Sequence, residues 1–154
     1  MNELKPFDDK LVALLASLSA ASRRQLAGKI AKVLRSSQQQ HIKKQQSPDG
    51  TPYAPRRTQS ISGKTGRVKR EMFQKLRTAK YMKAKGTADA ASVGFIGRVQ
   101  RMVQVHHYGL RDRPSRNSDD VQYEARPLLG FSQEELKLVE ALLLEFLRHK
   151  IAPE

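Results

Sequence analysis

The chain has 154 residues, 29 Lys and Arg against 15 Asp and Glu, a formal net charge of +14 and no cysteine. The length suits one domain with its own core, and the lack of thiols excludes disulfides and thiolate metal sites. The longest apolar run is too short to span a bilayer and no secretory signal pattern is present, so we expect neither a membrane span nor secretion. The lack of cysteine suits a reducing cytoplasm. The charge excess indicates a polyanionic partner, or work beside one.

The N-terminal residues 4–45 predict a helical hairpin. Over residues 4–18, leucines recur at steps of three and four, which is the stripe of an amphipathic helix. The second helix begins after either Ser19 or Ser22, since Ser22 forms a plausible capping box with Gln25 and Ser19 is an equally good N-cap.

Residues 46–70 predict a long loop in two halves. The first half is rich in residues that form turns and exclude regular structure, namely Pro48, Asp49, Gly50, Pro52 and Pro55. Tyr53 is the one large apolar side chain there, so we expect it to pack down and fasten the loop. The second half is basic and glycine-dotted, so we expect the stretch 56–70 to be mobile in the isolated protein.

The segment 71–154 predicts an α+β body. The motif REMFQKL (70–76) predicts a short helix, and residues 77–85 and 91–99 alternate well enough for an antiparallel hairpin turning at Gly86–Ala90. The motif VQRMVQVHHYG then predicts a helix that ends at Gly109, with its apolar side formed by Val99, Met102, Val103 and Tyr108. An exposed loop and one more short strand, VQYEA, follow.

The last helix has the clearest signals. Ser132 and Glu135 form a capping box, while Phe131 and Leu136 occupy the positions of a hydrophobic staple. The helix runs to about His149 and is apolar on most of its circumference, so it must be buried either within the domain or partly by a neighbouring subunit. We therefore predict one α+β domain over 1–154: two N-terminal helices, a small mostly antiparallel sheet with a long basic loop, and a C-terminal helix packed on the sheet.

Residues for chemistry are scarce. His106 and His107 are adjacent and point in different directions, so they cannot chelate one metal ion well. The motif GKTG (63–66) lacks the spacing and the preceding strand of a phosphate-binding loop. We find no catalytic residue, metal site or cofactor site, and predict that the protein is not an enzyme.

The basic run 56–85 leaves three interpretations open. It could bind nucleic-acid phosphates, remain a solvated loop, or become ordered only against an acidic protein surface. The candidate assembly residues are Tyr53, Arg56, Arg57, Lys64, Arg67, Lys69, Arg70 and Arg126. Arg126 lies at an element boundary beside Pro127, so it is either a structural tie to carbonyls or a carboxylate, or one side of an ion pair between subunits.

Four motifs occur in an order that resembles the phage virion morphogenesis family: PDGTPYAPR, GKTGRVKREMFQKLRTAKYM, VGFIGRVQRMVQVHHYGLRDR and YEARPLLGFSQEEL. The resemblance covers nearly the whole chain, and the order and spacing of the motifs make it specific. It carries over Pro48, Asp49, Gly50, Pro52, Pro55, His106, Tyr108, Gly109, Ala125, Arg126, Leu128, Leu129, Gly130 and Phe131. His107 departs from the glutamine that the resemblance leads us to expect.

The resemblance implies a structural virion protein at the head-proximal end of the tail, which terminates the tube or completes the tail for joining to a head. It implies a ring, most simply a hexamer, whose partners are tube or sheath proteins, neck or connector proteins, and at most non-specifically contacted DNA in the lumen. The alternative is a basic nucleic-acid-binding module. The two classes differ in whether the charge forms a folded basic face or serves contacts between subunits.

Overall fold

The computed structural model describes residues 5–57, 59–61, 64–66 and 71–151. In chain order its elements are α1 (Lys5–Ala16), α2 (Ala20–Lys43), β1 (Gln59–Ile61), β2 (Lys64–Gly66), β3 (Met82–Gly86), β4 (Ala91–Phe95), α3 (Gly97–Tyr108), β5 (Arg111–Asp112), β6 (Val121–Gln122) and α4 (Gln133–Ile151). The fold is α+β, with helices at both ends of the chain and short paired strands between them, as the sequence predicts.

Of the two alternatives for the start of α2, the structure selects Ser19. Its hydroxyl oxygen accepts a hydrogen bond from the backbone N–H of Ser22 at 3.1 Å. That N–H is one of the donors that a helix start leaves without an intrahelical partner, so Ser19 is the N-cap. The interpretation of Ser22 and Gln25 as the capping box is wrong, because Ser22 already lies inside the first turn.

Within the described residues, the strands form three two-stranded sheets. β3 and β4 make the predicted hairpin, closed by a hydrogen bond from Thr87 N to Ala90 O at 2.8 Å. The segment predicted to continue as a strand to residue 99 instead enters α3 at Gly97. β5 and β6 pair antiparallel and close the loop between them.

Part of the basic run has regular structure, which corrects the prediction of an irregular loop. β1 pairs antiparallel with β2, and Ser60 lies opposite Thr65. The rest of the segment, residues 58, 62–63 and 67–70, lies outside the described residues, so its predicted mobility stays a prediction.

The short helix predicted over REMFQKL is wrong, since this segment is a series of turns. Phe73 has φ of 62°, a left-handed conformation that a bulky residue rarely adopts and that interrupts any helix. One helical turn follows it, marked by the hydrogen bond from Arg77 N to Phe73 O at 3.2 Å. Leu76, one of the apolar residues of this motif, is nevertheless buried.

The described chain divides into two compact units. The first comprises residues 1–34, 84–93 and 133–154, and its buried apolar residues are Leu26, Ala27, Ala31, Leu34, Phe146 and Leu147. The second comprises residues 35–83 and 94–132, and its core contains Ile42, Tyr53, Leu76, Met82, Phe95, Val99, Val103, Val105 and Leu128.

In the first unit, the hairpin end lies directly on α2. A Cβ added to Gly86 would lie 2.3 Å from Gly28 N and 2.6 Å from Ala27 C, both backbone atoms that cannot move aside cheaply. Arg23 supports the same approach, since its Nε donates to Ala88 O at 3.0 Å.

We expect Gly86→Ala to lower the free energy of unfolding by about 1–3 kcal/mol, because the new methyl group overpacks this contact. Gly28→Ala is the matched control, since its Cβ would meet nothing within 4 Å. As a helical site it should gain about 0.5–1 kcal/mol. Urea unfolding of both variants measures the difference, and equal stability of Gly86→Ala and the wild type would contradict this account.

The exposed sides of α3 and α4 differ from the predicted ones. On α3 the buried residues are Val99, Val103 and Val105, whereas Met102 and Tyr108 are exposed. On α4, Phe146 and Leu147 are buried, but Leu136, Leu138 and Leu144 are exposed. Phe131 is exposed as well, so the predicted staple with Leu136 buries little area. The apolar circumference of α4 is therefore only partly covered within this chain.

Candidate functional site

The proline-rich segment is an ordered turn. Asp49 Oδ1 accepts hydrogen bonds from Thr51 N at 2.9 Å and from Ser47 Oγ at 2.7 Å. The hydrogen bonds from Thr51 and Ser47 hold the pKa of the exposed Asp49 carboxyl down at about 2. Gly50 has φ of 89°, which explains the glycine at this place in the turn. Gln46 and Pro52 form a bridge that closes the base of this turn.

Within the second unit, two side chains fasten the turn to the segment 126–127. Tyr53 is buried, and its hydroxyl donates to Pro127 O at 2.8 Å. Arg126 is also buried, and donates from Nε to Ala54 O at 2.9 Å and from Nη2 to Pro55 O at 3.1 Å. Of the two interpretations of Arg126, this geometry is that of the tie to backbone carbonyls.

Burial shifts the pKa of both anchors for the same physical reason, because it disfavours the charged form of each group. Burial raises the pKa of the Tyr53 hydroxyl, because the phenolate would lose its solvation, while the positive charge of Arg126 opposes this shift. Burial lowers the pKa of Arg126, and the nearby Glu124 carboxylate opposes the shift. The guanidinium nevertheless remains charged, as arginine does in proteins.

Glycines let two further backbone segments approach this region closely. A Cβ on Gly130 would lie 2.9 Å from Pro48 Cγ. Gly109 has φ of 67° and ends α3 as predicted, and a Cβ there would lie 2.7 Å from Ala125 N. Of the prolines and glycines singled out in the sequence, Pro48, Gly109 and Gly130 therefore lie at close contacts, whereas a Cβ on Gly50 would meet nothing within 4 Å.

A row of rings passes behind the turn. Each ring of the row contacts the next one edge to face, in the order Tyr53, Phe73, His106 and Tyr123. The ring centroids of the successive pairs are 5.7, 5.2 and 4.8 Å apart. Such contacts stabilise a fold beyond the area that they bury. Phe73 and Tyr123 were not singled out from the sequence, although they are among only nine Phe and Tyr residues in the chain, five Phe and four Tyr.

Three rings of this row, Phe73, His106 and Tyr123, form one wall of a cleft of about 470 Å³ in the second unit. Three arginines and one carboxylate line the cleft beside apolar and aromatic side chains: Arg56, Arg57, Met72, Phe73, His106, Pro114, Val121, Tyr123, Glu124 and Arg126. The excess of guanidinium groups suits a carboxylate, and the apolar wall suits an adjacent hydrophobic side chain. This cleft and the fastened turn together form the candidate site.

The two adjacent histidines have different surroundings. His107 Nδ1 accepts a hydrogen bond from Leu128 N at 3.1 Å, so this nitrogen carries no proton. His106 Nδ1 is buried and has no hydrogen-bond partner within the described structure. Burial lowers the pKa of both rings, and the charges of Arg126 and Arg56 lower that of His106 further, against a smaller opposing effect of Asp112.

We expect stability to fall as the pH is lowered from 7.5 to 5. In the unfolded chain His106 and His107 take up protons near pH 6.5, whereas in the folded chain their lowered pKa values resist protonation. Their contribution is thus fully present above 6.5 and is lost below it. The free energy of unfolding from urea titrations at each pH measures this, and His106→Gln should flatten the dependence. A variant with the wild-type slope would show that His106 is not involved.

The other predicted site residues are more scattered. Arg57 Nη2 donates to Gln122 O, and Arg56 Nη2 donates to Glu71 O at 3.3 Å. The backbone of Lys64 lies in β2, while its side chain and the whole of Arg67, Lys69 and Arg70 lie outside the described residues. Tyr108 and Phe131 are exposed on the surface. The structure brings Tyr53, Arg56, Arg57, His106 and Arg126 together.

Known proteins give the arrangement a context. The sequence model of the phage virion morphogenesis family matches residues 2–148. The chain belongs to this family. It is also 44% identical to "Tail completion protein S" of Escherichia phage P2 over 148 residues, which is 96% of this chain and 99% of that protein. No solved structure matches the chain. The family is one of structural proteins of the phage particle.

Across the residues that the structure describes, no three His, Asp or Glu side chains are grouped so as to hold a metal ion. None of the described helices combines the length and apolar character needed to cross a membrane.

Proposed function

We propose that this protein is a structural component of the virion that completes the phage tail at its head-proximal end, so that the tail joins a head. The observation that carries the proposal is the similarity to the P2 tail completion protein over nearly the full length of both chains. In this proposal the protein works as one domain and forms a ring, most simply a hexamer, in the tail–neck region of the virion. Before assembly it resides in the host cytoplasm.

The candidate site supplies a surface for such contacts. Arg126 and Tyr53 hold the turn through hydrogen bonds that involve the carbonyl groups of Ala54, Pro55 and Pro127. The basic stretch that follows, residues 56–70, which we call the basic arm, therefore begins at a fixed point. The cleft beside it carries Arg56 and Arg57, and we propose that it receives an acidic segment of a neighbouring copy, tube, sheath or neck protein. No catalytic role is proposed for any of these residues.

The net charge of +14 also favours a second function, binding to nucleic acid. Lysines and arginines that neutralise DNA phosphates release counterions, so affinity would fall steeply with salt, with a slope near −0.9 for each contact. In a tail-completion protein, DNA in the lumen is contacted without sequence preference, with a dissociation constant of about 10⁻⁴–10⁻⁶ M. The affinity of the purified protein for duplex DNA, measured over a series of salt concentrations, distinguishes the nucleic-acid-binding function from tail completion.

We expect the quadruple change of Lys64, Arg67, Lys69 and Arg70 to glutamine to block tail completion while leaving the protein folded. The four side chains lie outside the described residues, and charged groups in a basic run are expected to contribute little to a core. Complementation of a phage that lacks this gene, with electron microscopy of heads and tails, should show both parts unjoined. The control changes Lys43, Lys44, Lys83 and Lys85, which are all exposed, and alters the net charge equally.

The result has three informative outcomes. Unjoined heads and tails only with the arm variant support tail completion through the arm. Normal particles with the arm variant, together with tight, sequence-selective DNA binding by the wild type, would replace the proposal with the nucleic-acid function. Equal defects in both variants would assign the effect to overall charge rather than to the arm.

A further inference from the structure

The side of α4 that faces away from its buried residues is partly apolar. Phe146 and Glu135 are buried, whereas Leu138 is 52% and Leu144 45% exposed. Leu138, Ala141 and Leu144 follow one another at three-residue steps and therefore form one stripe, with Ala141 at its centre. We call this stripe, with the charged residues flanking it, the outer face of α4.

The charged residues of the outer face are arranged symmetrically about Ala141 with opposite signs. Four positions before it lies Lys137 and four after it Glu145; seven before it lies Glu134 and seven after it Arg148. Leu138 and Leu144 lie three positions before and after. All four charged residues are exposed. If an identical helix is placed antiparallel with Ala141 opposite Ala141, each glutamate meets a basic residue and each leucine meets a leucine.

The surface also has the shape for such a contact. Ala141, Leu144, Glu145 and Arg148 line an open depression of about 330 Å³. Their spacing of three, four and seven residues is that of the four-residue hole that accepts a side chain from a facing helix. With Ala141 on the axis, the side chain that reaches this hole is Leu138 of the second copy. The small side chain of Ala141 permits the two helices to approach closely.

We propose that the outer face of α4 binds the same face of a second copy, as an antiparallel helix pair with its two-fold axis at Ala141. The occupant is a second copy because a single face that complements itself in both charge and shape is the signature of an isologous contact. Such a contact closes after two chains, so it is distinct from the head-to-tail contacts of a ring. It does not depend on the proposed function.

One helix on each side buries less area than a permanent interface, so the dimer is weak and dependent on concentration. The test is sedimentation velocity on the full chain over a series of concentrations. We expect a monomer–dimer equilibrium for the wild type. Glu134→Arg and Arg148→Glu should each weaken dimerisation by about tenfold or more, because each reversed charge occurs twice in a two-fold contact and meets a like charge.

The double variant Glu134→Arg/Arg148→Glu should dimerise again, because it restores opposite charges at both positions. An equimolar mixture of the two single variants should also form a heterodimer, since the basic outer face of one then meets the acidic outer face of the other. A gain in the stability of α4 itself cannot explain this rescue. Reversal at both ends opposes the helix dipole, so the double variant has the least favourable helix.

A cross-link locates the axis. The chain has no cysteine, so Ala141→Cys introduces a single thiol that should form a disulfide-linked dimer on oxidation. Glu140→Cys, on the same helix but turned off the outer face, is the control and should stay mostly monomeric. A wild type that remains monomeric at every concentration, dimerisation unchanged by both single reversals, or equal cross-linking of the two cysteine variants would each overturn the proposal.

Discussion

Replacing Arg126 by alanine is expected to lower the free energy of unfolding by about 2–4 kcal/mol, mostly through the loss of two charge-assisted hydrogen bonds. The carbonyl oxygens of Ala54 and Pro55 lose their donors, and the buried space of the guanidinium is left unfilled. Urea unfolding followed by circular dichroism measures the change. Arg126→Lys should recover only part of it, because one ammonium group does not reproduce the planar fork of the guanidinium.

Arg116→Ala is the matched control for Arg126, since Arg116 is exposed in the loop between β5 and β6 and should change stability little. A different outcome would revive the other interpretation of Arg126. If Arg126→Ala folds with wild-type stability but no longer assembles, then its main partner is a carboxylate of another subunit. The same variant therefore tests the tie in the isolated protein and the ion pair in the assembly.

Phe146→Ala is expected to cost about 3–5 kcal/mol of stability, because removing a buried aromatic side chain leaves a cavity as well as losing transfer free energy. Phe146 is buried in the first unit, and Lys29 Nζ and Lys150 Nζ lie 5.5 and 5.7 Å from its ring centroid. These ammonium groups would also lose their cation–π contacts. Thermal or urea unfolding measures the loss.

Leu136→Ala on the same helix is the control for Phe146, because Leu136 is half exposed and should cost much less. Leu143 is only half-buried, so Leu143→Ala should lie between the two. If all three variants melt like the wild type, α4 contributes no core to the isolated chain. The exposed leucines of α4 would then have to be explained together with Phe146 by contacts between copies.

The helices could be predicted from the sequence because their signals are local. Leucine spacing marks α1 and α4, and Gly109 ends α3 at the predicted place, since only a residue that tolerates positive φ suits that position. The turn at Asp49-Gly50 could be predicted from the sequence for the same reason. The prediction failed at REMFQKL, where three apolar residues at helical spacing were outweighed by the left-handed Phe73.

Only part of the candidate site could be predicted from the sequence. Tyr53, Arg56, Arg57 and Arg126 were singled out because their residue types are unusual in their surroundings. Phe73 and Tyr123 were not, because they come from segments far apart in the chain and meet only at His106. A contact between distant segments leaves no spacing pattern for the sequence to reveal.

By itself, the sequence determined the α+β class, the family and the order of the helices, since caps, glycines and apolar spacing act within a few residues. Only the tertiary structure showed which carbonyl groups Arg126 meets within the chain, and which leucines of α4 remain exposed. An arginine offers the same donors to a carbonyl and to a carboxylate, and a leucine is equally apolar on either side of a helix. Which group each one meets depends on what the rest of the fold brings near it.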